Sequence, residues 1–310
     1  MTFDIDGILN GKRLAISRAL SLVERNDTDL IALTDALHGH LGNAYRIGVT
    51  GPPGAGKSSL VDRLIEIWRT AGKTIGVISV DPTSPFTGGA ILGDRVRMTR
   101  HYKDEGVFIR SMATRGSLGG LSSKAQDAAD VYDAAGLDIV VFETVGVGQV
   151  ELDVAEAADT TLVVIVPESG DEIQAMKAGL MEIADIFVVN KADHTGAEKA
   201  FRELRGIIQL RLQTADWKPP VVKTSVVKPE GIDDLDKTIQ RHYSYLKESG
   251  ILKEKFRHRQ HLKVRDLILE RLQTQFWTPE RKEIMDAALQ KPLDEMPSPV
   301  QLMTQLFKGT

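Results

Sequence analysis

The chain has no cysteine among its 310 residues. Disulfides, thiolate metal sites and a cysteine nucleophile are therefore excluded. It also lacks any run of ~18 apolar residues, so no membrane span is expected. Positive charge is not in excess. The formal net charge is −4, which argues against a general nucleic-acid binder. The opening MTFDIDGILNGK lacks a charged-then-apolar signal pattern and is not Arg-rich, so a cytoplasmic location is expected. Low-complexity linkers and internal repeats are missing too. Histidine offers two close pairs, His38/His40 and His258/His261. With no cysteine and no other ligands clustered beside them, both pairs read as solvated faces rather than metal sites.

What is present is ordinary in bulk and specific in detail. A 42% hydrophobic, 26% charged composition is that of a globular chain able to bury a sizeable core. The stretch GPPGAGKS runs from Gly51 to Ser58, between the apolar run 45–49 and the helical pattern from Ser59. That is strand, Gly-rich loop and helix, the setting that a G-x-x-x-x-G-K-[ST] phosphate loop requires. Gly54 and Gly56 let backbone N–H groups turn inward. With the helix N-terminus these amides make an anion cradle. The cradle is expected to take in Gly51, Pro52, Pro53, Gly54, Ala55, Gly56, Lys57, Ser58 and Ser59. Lys57 would place its charge between the β- and γ-phosphates, and Ser58 would offer a hydroxyl to Mg²⁺.

Around this loop the periodicity divides the chain in three. Residues 1–43 form a helical N-terminal extension, with two short helices expected over 7–42 and the second capped at Asp27-Thr28-Asp29. Residues 44–248 alternate strand and helix, with strands at 45–50, 74–80, 107–110, 138–142, 160–166, 185–190 and 221–224. Helices are expected at 58–71, 94–103, 122–135, 171–182, 194–212 and 232–247. The fold class is α/β, a mainly parallel sheet wrapped by helices, with ligands at the carboxyl ends of the strands. Residues 249–310 form a helical C-terminal extension: a basic helix over 251–276, then shorter ones near 279–290 and 298–307.

Further chemistry is expected at the strand ends. Asn190-Lys191-Ala192-Asp193 follows an apolar strand in the form N-K-x-D. An aspartate there accepts from N1–H and the exocyclic amine of guanine, so Asp193 selects GTP over ATP. Lys191 lies over the base, and Asn190 ties this loop to the phosphate loop. Ser225, Val226 and Val227 would close over the base with backbone amides. Asp81, Asp94 and Glu143 stand where the water shell of Mg²⁺ would need acids, although Asp94 also reads as a plain N-cap. The Gly-rich segments 82–93 and 144–150 fit loops that order around a γ-phosphate. Gln149 is a candidate to orient the attacking water. No arginine finger can be assigned from the sequence: Arg95, Arg97 and Arg115 are candidates, but ion-paired or solvated roles suit each of them better.

In that order GPPGAGKS, DPTSPFTGGAILGDRVRM, TRGSLGGLS, FETVGVGQVE, VPESGDEIQAMKAG and NKAD resemble the methylmalonyl-CoA mutase-associated GTPases. These are the bacterial counterparts of the methylmalonic aciduria type A protein, some under an older label as arginine/ornithine transport ATPases or kinases. The resemblance runs from about residue 10 to beyond 247. It implies a slow GTPase, using GTP/GDP and Mg²⁺, that binds, protects and gates cofactor loading of an adenosylcobalamin-dependent acyl-CoA mutase. It further implies a homodimer to which C-terminal helices contribute. The family's third switch maps onto Val166–Lys177, which makes Lys177 the candidate for charge stabilisation; a solvated helix position is its bland alternative. Two competing readings are an ATPase or kinase of amino-acid transport components, which NKAD opposes, and a nickel-insertion GTPase, which the absence of cysteine opposes.

Overall fold

The computed structural model describes residues 3–25, 29–81, 99–101, 103–113, 120–144, 150–167, 179–211 and 216–308. It packs as two units, Met1–Arg259 and Gln260–Thr310.

The first unit is built on seven parallel strands: β1 (Tyr45–Thr50), β2 (Ile75–Asp81), β3 (Val107–Ala113), β4 (Ile139–Thr144), β5 (Thr160–Ile165), β6 (Ile186–Val189) and β7 (Val221–Lys223). Their order is β3-β2-β4-β1-β5-β6-β7. The central strands β1, β4 and β5 are buried along their whole length. That burial explains why they read as continuous apolar runs rather than alternating ones. The parallel register Val49↔Glu143 and Thr50↔Val163 aligns the carboxyl ends of β4, β1 and β5 at one edge.

Helices cover both faces. On one face lie α4 (Lys57–Thr70) and α9 (Ile232–Glu248), whose Leu60, Leu64, Leu235 and Ile239 join Ile47, Val49, Val141 and Val164 in one core. Trp68 Nε1 donates to Asp236 at 2.8 Å and joins the two helices. The other face carries α5 (Gly120–Ala134), α6 (Val150–Ala157) and α8 (Ala197–Arg211), with the four-residue α7 (Leu180–Ile183) beside them. Against α5 pack α1 (Ile5–Leu9), α2 (Arg13–Arg25) and α3 (Leu30–Leu37).

Among its described residues the N-terminal region thus has three α-helices where the periodicity predicts two. The extra one, α1, is only five residues, too short to show a period, and Asp4 caps it by accepting from Gly7 N–H at 2.8 Å. The second helix expected within 7–42 stops early: α3 ends at Leu37 and gives way to a 3₁₀ turn at His38–His40. Asp27 and Thr28 lie outside the described residues, as do most of the segments expected as helices at 94–103 and 171–182. His38, His40, His258 and His261 are all exposed.

The helix α10 runs from Ile251 to Phe276. Its first turns belong to the first unit: Arg259 pairs with Asp159 at 2.7 Å, and Lys255 donates to the Asp159 carbonyl at 2.8 Å. By packing, the second unit begins at Gln260. The second unit comprises the rest of α10 with α11 (Pro279–Leu289) and α12 (Pro299–Lys308). Its buried apolar core is small, formed by Ala288, Leu302 and Leu306. No helix among the described residues is long and apolar enough to cross a membrane.

Candidate functional site

The loop after β1 is shaped by two glycines. Gly51 sits at φ 137°, and a Cβ there would lie 2.0 Å from the Val164 carbonyl oxygen of β5. Gly56 caps α4 in the left-handed region at φ 84°, where a Cβ would lie 2.5 Å from Asn190 Nδ2. Gly54 has open space around it, so its requirement is positive φ alone. Gly51 is the most crowded of the three.

Lys57 opens α4 and is buried. Its ammonium donates to the carbonyls of Gly51 at 2.7 Å and Pro52 at 3.0 Å, so it spans the loop from inside. The next residue, Ser58, donates its hydroxyl to Glu143 Oε1 at 2.5 Å. Glu143 lies within β4 and is only 1% exposed, so it does not face solvent. Asp81 closes β2, one position beyond the register pair Val80↔Thr144, which puts it at the same sheet edge. A serine hydroxyl and a buried carboxylate in contact are hard oxygen donors of the kind Mg²⁺ takes. The donor set therefore fits that ion. Beside it the hydroxyls of Thr144 and Thr50 meet at 3.4 Å, a buried pair that nothing in the sequence pattern marks.

The loop after β6 reaches the phosphate loop directly. Asn190 Nδ2 donates to the Ala55 carbonyl at 2.7 Å, and its Oδ1 accepts from Thr224 at 3.0 Å. Lys191 takes φ 54°, the one non-glycine residue with positive φ among the described residues. The turn it makes sets up Asp193, whose Oδ1 accepts from Ser225 Oγ at 2.5 Å. This bond holds the Asp193 carboxyl below the usual range, so the group is firmly an anion. Ser225 in turn accepts from Lys228 N–H at 3.1 Å. Val226 is half-buried, and Val227 is 83% exposed. The sequence pattern points to backbone amides at Ser225, Val226 and Val227. The side chains of Thr224 and Ser225 also take part, holding Asn190 and Asp193. Two hydroxyl residues at a strand end are the signal that could have shown it.

The arrangement brings Lys57, Ser58, Glu143, Asn190 and Asp193 to the carboxyl edge of one parallel sheet. Asp94, Gln149 and Lys177 lie outside the described residues, as do Arg95, Arg97 and Arg115. Asp62 on α4 is buried and accepts from Arg100 at 2.6 Å, with His101 Nε2 3.0 Å away. The residues just after the segment 82–98 are thereby latched to the helix that starts at Lys57.

Comparison with known proteins places this geometry. Residues 16–281 match the family model described as methylmalonyl Co-A mutase-associated GTPase MeaB. A protein of Pyrococcus abyssi (strain GE5 / Orsay) named as a GTPase is 46% identical over 312 residues, covering 98% of this chain and 96% of its own length. The mitochondrial methylmalonic aciduria type A homolog of Caenorhabditis elegans is 33% identical over 267 residues, covering 80% of this chain and 67% of its own. Among solved structures, an LAO/AO transport system kinase matches with a TM-score of 0.71 at 28% identity, covering 98% of this chain and 95% of that one.

Proposed function

The chain belongs to the family of methylmalonyl Co-A mutase-associated GTPases, and on that premise we propose that it is a chaperone whose GTP cycle serves an adenosylcobalamin-dependent acyl-CoA mutase. The observation that carries this reading is the family match across residues 16–281. Methylmalonyl-CoA mutase is the first client to test. Protection of the mutase and gating of its cofactor loading are the output of the cycle, and hydrolysis is its clock.

The residues divide the work of GTP hydrolysis. Gly51 to Ser59 wrap the phosphates, with backbone N–H groups supplied by the residues other than Pro52 and Pro53, and Lys57 turns its ammonium to the β- and γ-oxygens. Ser58 would hold Mg²⁺ directly and Glu143, Asp81 and Asp94 would mostly hold its waters; when bound, the ion would neutralise phosphate charge. Asp193 selects guanine, Lys191 covers the base, and Asn190 keeps the two loops in register. The turn Ser225-Val226-Val227 closes the base site. Gln149 orients the attacking water, and Lys177 stabilises charge when the client is bound. Positioning and electrostatics, rather than covalent chemistry, make up the catalysis.

The working form is a homodimer. The second unit supports this, because Val264, Ile268 and Leu272 repeat every fourth residue on α10 and are each more than half exposed. An apolar stripe over so small a core needs a partner surface, and a second copy of the same helix supplies one. No nucleic acid or membrane partner enters the reading.

The test is turnover of GTP against ATP, each with and without purified methylmalonyl-CoA mutase, alongside co-purification from the native cell. GTP preference with mutase-dependent stimulation is expected. Equal use of ATP, or indifference to every cobalamin mutase tried, would remove the chaperone reading.

A further inference from the structure

A cavity of about 580 Å³ opens at the opposite end of the sheet, where β1 and β5 begin. It is bounded by residues 41–44, the end of α9 and the first turns of α10. The length of β1, about 17 Å at ~3.3 Å per residue, separates it from the phosphate loop. Its volume lies within the roughly 300–1,000 Å³ of small-molecule sites.

The polar wall of the cavity is basic. Lys247, Lys253, Arg257 and Arg259 line it, against the single carboxylate of Asp159. That carboxylate is already engaged: it accepts Arg46 N–H at 2.9 Å and Arg259 Nη1 at 2.7 Å. Lys247, Lys253 and Arg257 are exposed and have no ion-pair partner among the described residues. Arg259 is 6% exposed, yet its Nε has no hydrogen-bond partner among the described residues. Burial draws its pKa down against the pull of Asp159, so the buried charge is under-compensated. An anion entering the cavity would relieve that imbalance, and a phosphate matches the fork geometry of guanidinium groups. The amides opening α10 add partial positive charge at the same place. Apart from Asn43 the remaining wall is mostly apolar, with Tyr243 and Phe256 lining the same space.

We propose that this cavity binds a phosphate-bearing small molecule with a flat or apolar body, at a site separate from that of GTP. The phosphate meets Lys253, Arg257 and Arg259, and the body lies on Tyr243 and Phe256. The proposal uses no residue of the phosphate loop or the base loop, so it stands or falls apart from the client reading.

The experiment is calorimetric titration of the full chain, saturated with GDP to fill the first site, with AMP as probe at low ionic strength. Inorganic phosphate is titrated in parallel. AMP is expected to bind one site with a Kd between about 10 μM and 1 mM, and inorganic phosphate at least about tenfold more weakly, because it leaves the rings uncovered. The double variant Lys253→Glu/Arg257→Glu should weaken AMP by about tenfold or more while GDP affinity stays within about twofold. Both side chains are exposed, so the fold should persist; the pair Lys253→Ala/Arg257→Ala is the milder substitute if circular dichroism shows otherwise. Absence of AMP binding, equal affinity for phosphate and AMP, or unchanged AMP binding by the folded variant would each overturn the proposal.

Discussion

Asn190 Nδ2 donates to the Ala55 carbonyl at 2.7 Å, so the loop after β6 and the loop after β1 form one hydrogen-bonded unit. The same side chain accepts from Thr224. Replacing it strands two buried groups at once. Asn190→Ala should therefore cost about 1–3 kcal/mol, shared between fold stability and nucleotide binding. GDP affinity by calorimetry and thermal unfolding with and without GDP read the two shares. A variant matching wild type in both would show that the loops hold their places independently.

Nucleotide choice is expected to rest on Asp193, held as an anion by Ser225. Asp193→Asn removes the acceptor pair for guanine and should favour a base with a carbonyl at that position, such as xanthine. Sites that hydrogen-bond their substrate reject wrong groups by ~10⁴-fold or more. Competition between GDP and XDP measures the switch. Full retention of GTP affinity would mean that Asp193 is not the base reader.

Lys57→Ala should abolish hydrolysis and weaken nucleotide binding with the fold intact. Lys57 opens α4 and donates to the loop carbonyls of Gly51 and Pro52, so its loss disturbs the loop first. Phosphate release and circular dichroism check the two halves. A folded variant that still turns over GTP would contradict the assignment.

The phosphate loop and NKAD were legible because each is a local pattern: a few residues at fixed spacing between a strand and a helix. The strands were legible because burial on both faces makes apolar runs. The pairings across the chain were not. Ser58 meets Glu143 only because β4 lies beside β1 in the order β3-β2-β4-β1-β5-β6-β7. Asp193 meets Ser225 only because β7 follows β6 at the edge. Spacing along a sequence carries no strand order, so these partners emerge with the fold. The basic cavity was hidden for the same reason, since Asn43, Asp159, Lys247 and Arg257 converge from four separate segments. The short α1 was missed for lack of length.

Stability should fall with acid through His242. Burial pushes this imidazole down to about 3, and its Nδ1 lies 2.7 Å from Thr160 Oγ1. In the unfolded chain a histidine titrates near ~6.5. Between those values the unfolded chain binds a proton that the folded protein refuses. The stability is therefore full above pH ~6.5 and lost as pH falls toward the folded value, by at most about 1.4 kcal/mol per unit. Asp185, 3.5 Å from His242 Nε2 and raised by burial, acts in the opposite sense. Urea unfolding at pH 6.5 and 5.5 should show a steeper loss in wild type than in His242→Asn. Parallel losses would mean that His242 takes up its proton in the folded state as readily as in the unfolded one.

The client should set the rate. Hydrolysis by the isolated chain is expected at ~10⁻⁴ to 10⁻² per second, the range of G proteins without full assistance. A mutase should raise it by ordering 82–93, 144–150 and 166–177 around the γ-phosphate. Asp62 on α4 accepts from Arg100, which follows the first of these regions in the chain. By linkage, a non-hydrolysable GTP analogue and GDP should differ in the client affinity they produce, by about 5- to 150-fold for a coupling of ~1–3 kcal/mol. Lys177→Ala should lose much of the stimulation while keeping basal turnover and nucleotide affinity. The measurement is GTP turnover titrated with purified mutase, on wild type and variant. Equal stimulation of both would take Lys177 out of the mechanism, because a residue that stabilises charge only in the client complex cannot be dispensable there.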